Sequence, residues 1–153
     1  LTYLTVLWRF RSRADRVARH AQLARQAAES AAMPEYVAAA MANEAWIAWR
    51  RRDLPTAAQI GRAAVELWQQ SPLVYPFQWQ ALWPLIGVAL ARGQGDGAWG
   101  YVSALLAPAQ QRLPDTLHTA LETAAEVRSA GDAVLARGHL ERAARAAATM
   151  GYL

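Results

Sequence analysis

Cysteine and lysine are both missing from the 153 residues. Without cysteine there is no disulfide framework, no thiolate nucleophile and no cysteine-ligated zinc or iron–sulfur centre. Without lysine, all 16 basic side chains are Arg, whose planar donor forks suit carboxylates and phosphates. Long apolar runs are also missing. Leu1 to Phe10 is about half the roughly 20 residues a membrane helix needs, and it lacks a signal peptide's cleavage region. No period-two alternation and no Asn-Gly turn marks a strand or hairpin. The expected compartment is the cytoplasm, and the leading Leu reads as a chain that begins inside a longer one.

Catalytic constellations are equally scarce. His20, His118 and His139 stand apart, and no His-Glu-x-x-His helix occurs. His118, Glu122 and Glu126 share a helix face, which would hold a metal only if further ligands converged; otherwise it is a solvated polar stripe. Gly93-Gln94-Gly95-Asp96-Gly97 has no preceding strand and no following Gly-Lys-Ser/Thr, so it reads as a flexible turn, not a phosphate loop. No Ser or Thr sits in a nucleophile motif, and no pair of acids stands out. The expectation is a non-catalytic region without cofactor or metal.

What is present favours helix. The chain is 54% hydrophobic and 18% charged. Thirty-six residues are Ala, the strongest helix former. Punctuation divides it into eight expected helices: 2–12, 15–32, 35–52, 55–70, 77–92, 97–107, 115–130 and 132–149. Pro34, Pro55 and Pro114 mark helix starts. Ser71 to Pro76 reads as a turn-rich linker. Pro84 falls inside an apparent helix and should leave the Gln80 carbonyl without its donor; a kink, or a helix beginning near Trp83, is expected.

A repeat runs through these helices. Asp53, Asp96 and Asp132 each sit at a helix–helix turn, followed after four residues by Ala57, Gly100 and Ala136, and after eleven by Ala64, Ala107 and Ala143. Ala45 and Ala124 lie eight residues before Asp53 and Asp132. Asp15 repeats the turn but is followed by Arg19 and Gln26, so the first unit is the least regular. Positions seven apart share a helix face, so paired small residues make a groove for a partner helix, and the Asp can cap the helix it precedes.

This pattern resembles the tetratricopeptide repeat, a helix–turn–helix unit of about 34 residues. Residues 38–71, 81–114 and 117–150 fit, and residues 1–33 fit poorly. The family's large aromatic near the eleventh position is replaced by Ala48, Ala91 and Val127. The segments Ala42 to Arg50, Trp83-Pro84-Leu85, Leu105 to Pro114 and Met150 to Leu153 further resemble the C-terminal helical region of large bacterial signalling proteins. Those carry a nucleotide cyclase and a STAND-type ATPase ahead of such repeats. The resemblance implies one all-α domain over residues 1–153, a right-handed α-solenoid of about eight helices in four antiparallel pairs. It implies a cytoplasmic scaffold or regulatory module that binds a peptide or partner domain on its concave face.

Position by position, the family's groove contacts fall on Asn43, Trp46, Trp49 and Arg50 in the second unit. Arg11, Arg92 and Arg128 occupy one equivalent position in the first, third and fourth. Such an Arg ladder would favour an acidic segment or a carboxylate; alternatively, these Arg simply end their helices, where the dipole favours them. The seven Trp are either inter-repeat core or an aromatic groove. Two other functions stand beside the scaffold. One is a small-ligand sensor, which requires an enclosed apolar pocket. The other is nucleic-acid binding through the N-terminal end, where six Arg and one Asp fall within residues 1–25 of a chain of net charge +4. The opening helix looks too apolar for a free end of an array, so it is expected to pack on an upstream domain or, in this fragment, on a second copy.

Overall fold

The computed structural model describes residues 1–153, with eight helices and no strand. They are α1 (Thr2–Phe10), α2 (Ala14–Ser30), α3 (Pro34–Arg50), α4 (Leu54–Gln69), α5 (Trp79–Ala91), α6 (Gly95–Leu105), α7 (Asp115–Ser129) and α8 (Ala133–Thr149). The chain is therefore all-α, with helix ends close to those its punctuation indicates.

Six helices stop in the same way. Ser12, Ala32, Arg52, Gly93, Gly131 and Gly151 all have positive φ. The next N–H in each case reaches back five residues, as in Asp53 N to Ala48 O and Tyr152 N to Ala147 O. This is the Schellman closure, which satisfies carbonyls that the helix end leaves free. Asp53 and Asp132 then cap the following helices, accepting from the Thr56 and Leu135 N–H groups. Asp15 and Asp96 do not cap. They lie inside the first turns of α2 and α6, whose N-caps are Arg13 and Gln94.

Sequential helices pack on one another, and α3 also packs on α5. Ala45, Ala57, Ala64, Ala124, Ala136 and Ala143 are all buried, as the repeat pattern requires. The third unit departs from it. Gly100 is exposed, with open space where a side chain would begin, and Ala107 lies beyond the end of α6. Large side chains fill the space that the alanines leave: Trp79, Leu82, Trp83 and Ile86 of α5 join Val102, Leu105, Leu117, Leu121 and Leu140 in the main core. Each such side chain contributes about 1.5–3 kcal/mol on burial.

One feature goes beyond a simple linear array, in which each unit touches only its neighbours. The C-terminal tail returns to α1, where Arg9 donates to the Tyr152 carbonyl. Gly151 makes that return possible. Its φ is +81°, and a Cβ there would lie 2.7 Å from the Arg9 carbonyl oxygen and the Phe10 Cα. Only glycine tolerates both conditions.

Helix α5 starts at Trp79 and continues through Pro84, which is buried. The expected start near Trp83 is therefore not found. The lost backbone bond is replaced from another helix, because Arg9 Nη1 donates to the Gln80 carbonyl at 2.9 Å.

Candidate functional site

Helix α1 is short, and only Thr5 and Arg9 of it are buried. A nine-residue helix is marginal in water, so docking must hold it in place. Arg9 does this as a fully buried cation. Its Nη1 reaches Asn43 Oδ1 at 3.4 Å as well as the Gln80 carbonyl, and Nη2 takes the Tyr152 carbonyl. Its guanidinium carbon lies 5.4 Å from the Trp46 ring centroid and 5.1 Å from that of Trp79. None of the chain's ion pairs includes it. Burial pushes the guanidinium below its ordinary range. Arginine does not give up its proton in proteins; here three oxygen acceptors and two ring faces stand in for part of its water, and Nε has no partner.

Beside this cation lies a cavity of about 200 Å³. Helix α1 supplies one wall through Thr2, Tyr3, Val6 and Phe10, which share a helix face. The segment entering α5 supplies Tyr75, Phe77, Trp79 and Gln80. Tyr36 of α3, Gln111 of the α6–α7 connection and Tyr152 of the tail complete it. No carboxylate lines it.

The aromatic walls are mutually braced. Phe10 stacks on Trp79 at 5.7 Å, Trp79 meets Tyr152 at 4.6 Å, and Tyr75 stacks on the buried Trp68 at 4.9 Å. Trp68 is itself fixed by its Nε1–H donating to the Glu35 carbonyl. The connections are pinned too. Gln110 accepts from the Gln78 N–H and donates to the Tyr75 carbonyl, the Gln111 N–H donates to the Pro76 carbonyl, and Gln111 Oε1 accepts from Trp79 Nε1. The stretch read from sequence as a linker is therefore part of a wall. Burial raises the Tyr75 and Tyr152 phenols above their ordinary range, so both stay protonated at neutral pH.

The residues expected to line a concave groove are placed otherwise. Asn43 is fully buried, its amide donating to the Ala39 carbonyl and to Gln80 Oε1. It cannot clamp an incoming peptide, because a buried amide so engaged has no donor to spare. Trp46 is also fully buried, under Arg9 and Arg50. Trp49 is half-buried against Gly87 and, with the exposed Arg50, borders a shallow groove by Leu153. Arg128 lies elsewhere, 3.0 Å from Asp96 and over the Trp99 ring at 4.8 Å. Arg92 is exposed in the α5–α6 turn, and Arg11 is exposed over Trp8. Arg50 and Arg128 thus border different grooves. Of the Trp, four (Trp46, Trp68, Trp79 and Trp83) are core, with Trp79 also reaching the cavity. His118 and Glu122 approach to 3.4 Å, and no cluster of three metal-binding side chains forms.

Sequence reasoning missed the cavity. The signal was a lone Arg in the apolar stretch Leu1 to Phe10, and the aromatic run Tyr75-Pro76-Phe77-Gln78-Trp79. No protein-family model matches the chain, and neither a curated protein nor a solved structure is significantly similar to it.

Proposed function

We propose that this region is a non-catalytic regulatory module of a larger bacterial signalling protein, a tetratricopeptide-like right-handed solenoid that senses a small ligand in the cavity between α1 and α5. The observation that carries the reading is the cavity itself. It is concave and mostly apolar, it has a few convergent polar groups, and it lies where the two ends of the chain meet. A ligand there touches α1, the α5 entry and the tail together, so occupancy stabilises their docking by mass action. Attachment of α1 or the tail to neighbouring domains would transmit that change.

The test is chemical-shift mapping of the labelled protein against a library of small aromatic compounds. Hits should cluster at α1, Tyr75 to Gln80 and Tyr152. Hits confined to other surfaces, or none, would overturn the reading.

A second reading keeps a protein partner. Arg128, over Trp99, and Arg137 are paired at the surface with Asp96 and Glu141 and lie beside the strongly exposed Val134, a mixed polar and apolar surface on which an acidic peptide would exchange for those carboxylates. An acidic peptide that shifts Trp99 and Arg128 but not Trp79 would favour it. Nucleic-acid binding rests on the Arg-rich N-terminal end alone, and predicts steep salt dependence.

A further inference from the structure

We infer that the ligand of the cavity is a planar aromatic carboxylate, with its ring among the aromatic walls and its carboxylate at the Arg9 end; this rests on the small-ligand reading above. Size, polarity and charge each contribute. A cavity of about 150 Å³ accepts benzene, so about 200 Å³ accepts a ring with a small substituent.

Polarity follows from what the lining has already spent. The Gln80 carbonyl and the Tyr152 carbonyl accept from Arg9, Gln80 Oε1 accepts from Asn43, and Gln111 Oε1 accepts from Trp79. The Gln111 amide hydrogens and the Thr2 hydroxyl have no protein partner. The Gln111 amide hydrogens can only donate and the Thr2 hydroxyl can donate as well as accept, so an ionised carboxylate, which is acceptor-only, finds donors in this lining.

Charge follows from Arg9. It is fully buried, touches Trp79, Gln80 and Tyr152 of the cavity wall, and has no carboxylate partner of its own. An uncompensated cation in a low-dielectric interior favours an anion nearby and disfavours a second cation. That argues against a quaternary-ammonium cage, although the walls are aromatic, because Arg9 already occupies the Trp79 face. At the other end the Glu35 carboxylate is close enough to Tyr75 to act on its phenol. The cavity is therefore polarised, positive at its Trp79–Tyr152 end.

The experiment is titration calorimetry on the wild-type chain with two isosteric series: benzoate, benzamide and benzylamine; and indole-3-acetate, indole-3-acetamide and tryptamine. In at least one series the anion should bind about tenfold more tightly than the amide, with the amine weakest. The preference should persist at high salt, because a buried charge is screened less than surface Arg. Tyr3→Ala, at the exposed rim, should weaken all members alike, and Arg9→Met should abolish the charge preference. If Arg9→Met does not fold, the wild-type series still decides. Amide and anion binding equally would overturn the carboxylate assignment and leave the small-ligand reading standing. A preference that vanishes in salt would assign it to the surface Arg, and would also overturn the inference. No binding by any member would count against both.

Discussion

Arg9 Nη1 donates to the Gln80 carbonyl oxygen at 2.9 Å, and that oxygen is free because Pro84, four residues on, has no N–H to offer it. A defect inside α5 thus becomes the socket for the one buried cation of α1. The relationship is testable by a double-mutant cycle. Arg9→Met leaves the Gln80 and Tyr152 carbonyls unpaired and should destabilise the chain. Pro84→Ala restores a donor to Gln80. The loss on Arg9→Met should then be smaller in the Pro84→Ala background by about 1 kcal/mol. Urea unfolding of the four proteins measures it, and equal losses in both backgrounds would show the two residues to be uncoupled.

Gly151→Ala should open the return of the tail onto α1. The substitution forces a side chain into left-handed backbone and against the Arg9 carbonyl. A cost of roughly 2 kcal/mol or more is expected. Hydrogen exchange should show α1 deprotected ahead of α7 and α8. Uniform exchange across the chain would mean that α1 is held by something else.

Ala136 and Ala143 are buried in the last hairpin. Leu at either position should overpack the contact, lowering stability by about 1–3 kcal/mol. Ala133→Leu, at an exposed position in the first turn of α8, is the control and should leave the melting temperature nearly unchanged.

The Asp53 carboxyl sits below its ordinary value of 3.8, chiefly because Thr56 hydrogen-bonds to it. Its folded pKa is lower than its unfolded one, so it contributes stability above the unfolded value, and loses it as pH falls through the folded value. Asp53→Ala should therefore melt lower than wild type at pH 7, with the gap closing in acid below the unfolded pKa. A gap independent of pH would assign the cap to geometry alone.

A second copy is the occupant proposed for the outer face of α1. Leu1, Leu4 and Leu7 are exposed there, away from the cavity wall. Sedimentation velocity should show a dimer that grows with concentration and weakens in Leu4→Glu. A monomer at high concentration would remove this expectation.

Local chemistry determined the helices of this protein. Alanine content, proline at helix starts, the Asp53 and Asp132 caps and the glycine stops all act within a few residues, so their result is legible in the chain. The small-residue faces of Ala57, Ala64, Ala136 and Ala143 were legible for the same reason, since helical periodicity alone puts them on one side. Asn43 and Trp46 have the right spacing to line a groove, but which helices of the adjoining units cover them is not written in that spacing: both are fully buried, Asn43 bonded to Gln80 of α5 and Trp46 under Arg9 of α1. Gln80 could be read as lacking its backbone donor. Which residue would replace that donor depended on a contact across 71 positions of chain. The cavity likewise draws its walls from five separate stretches, between Thr2 and Tyr152. The C-terminal tail closes the last of these walls, returning onto α1 through the left-handed backbone at Gly151.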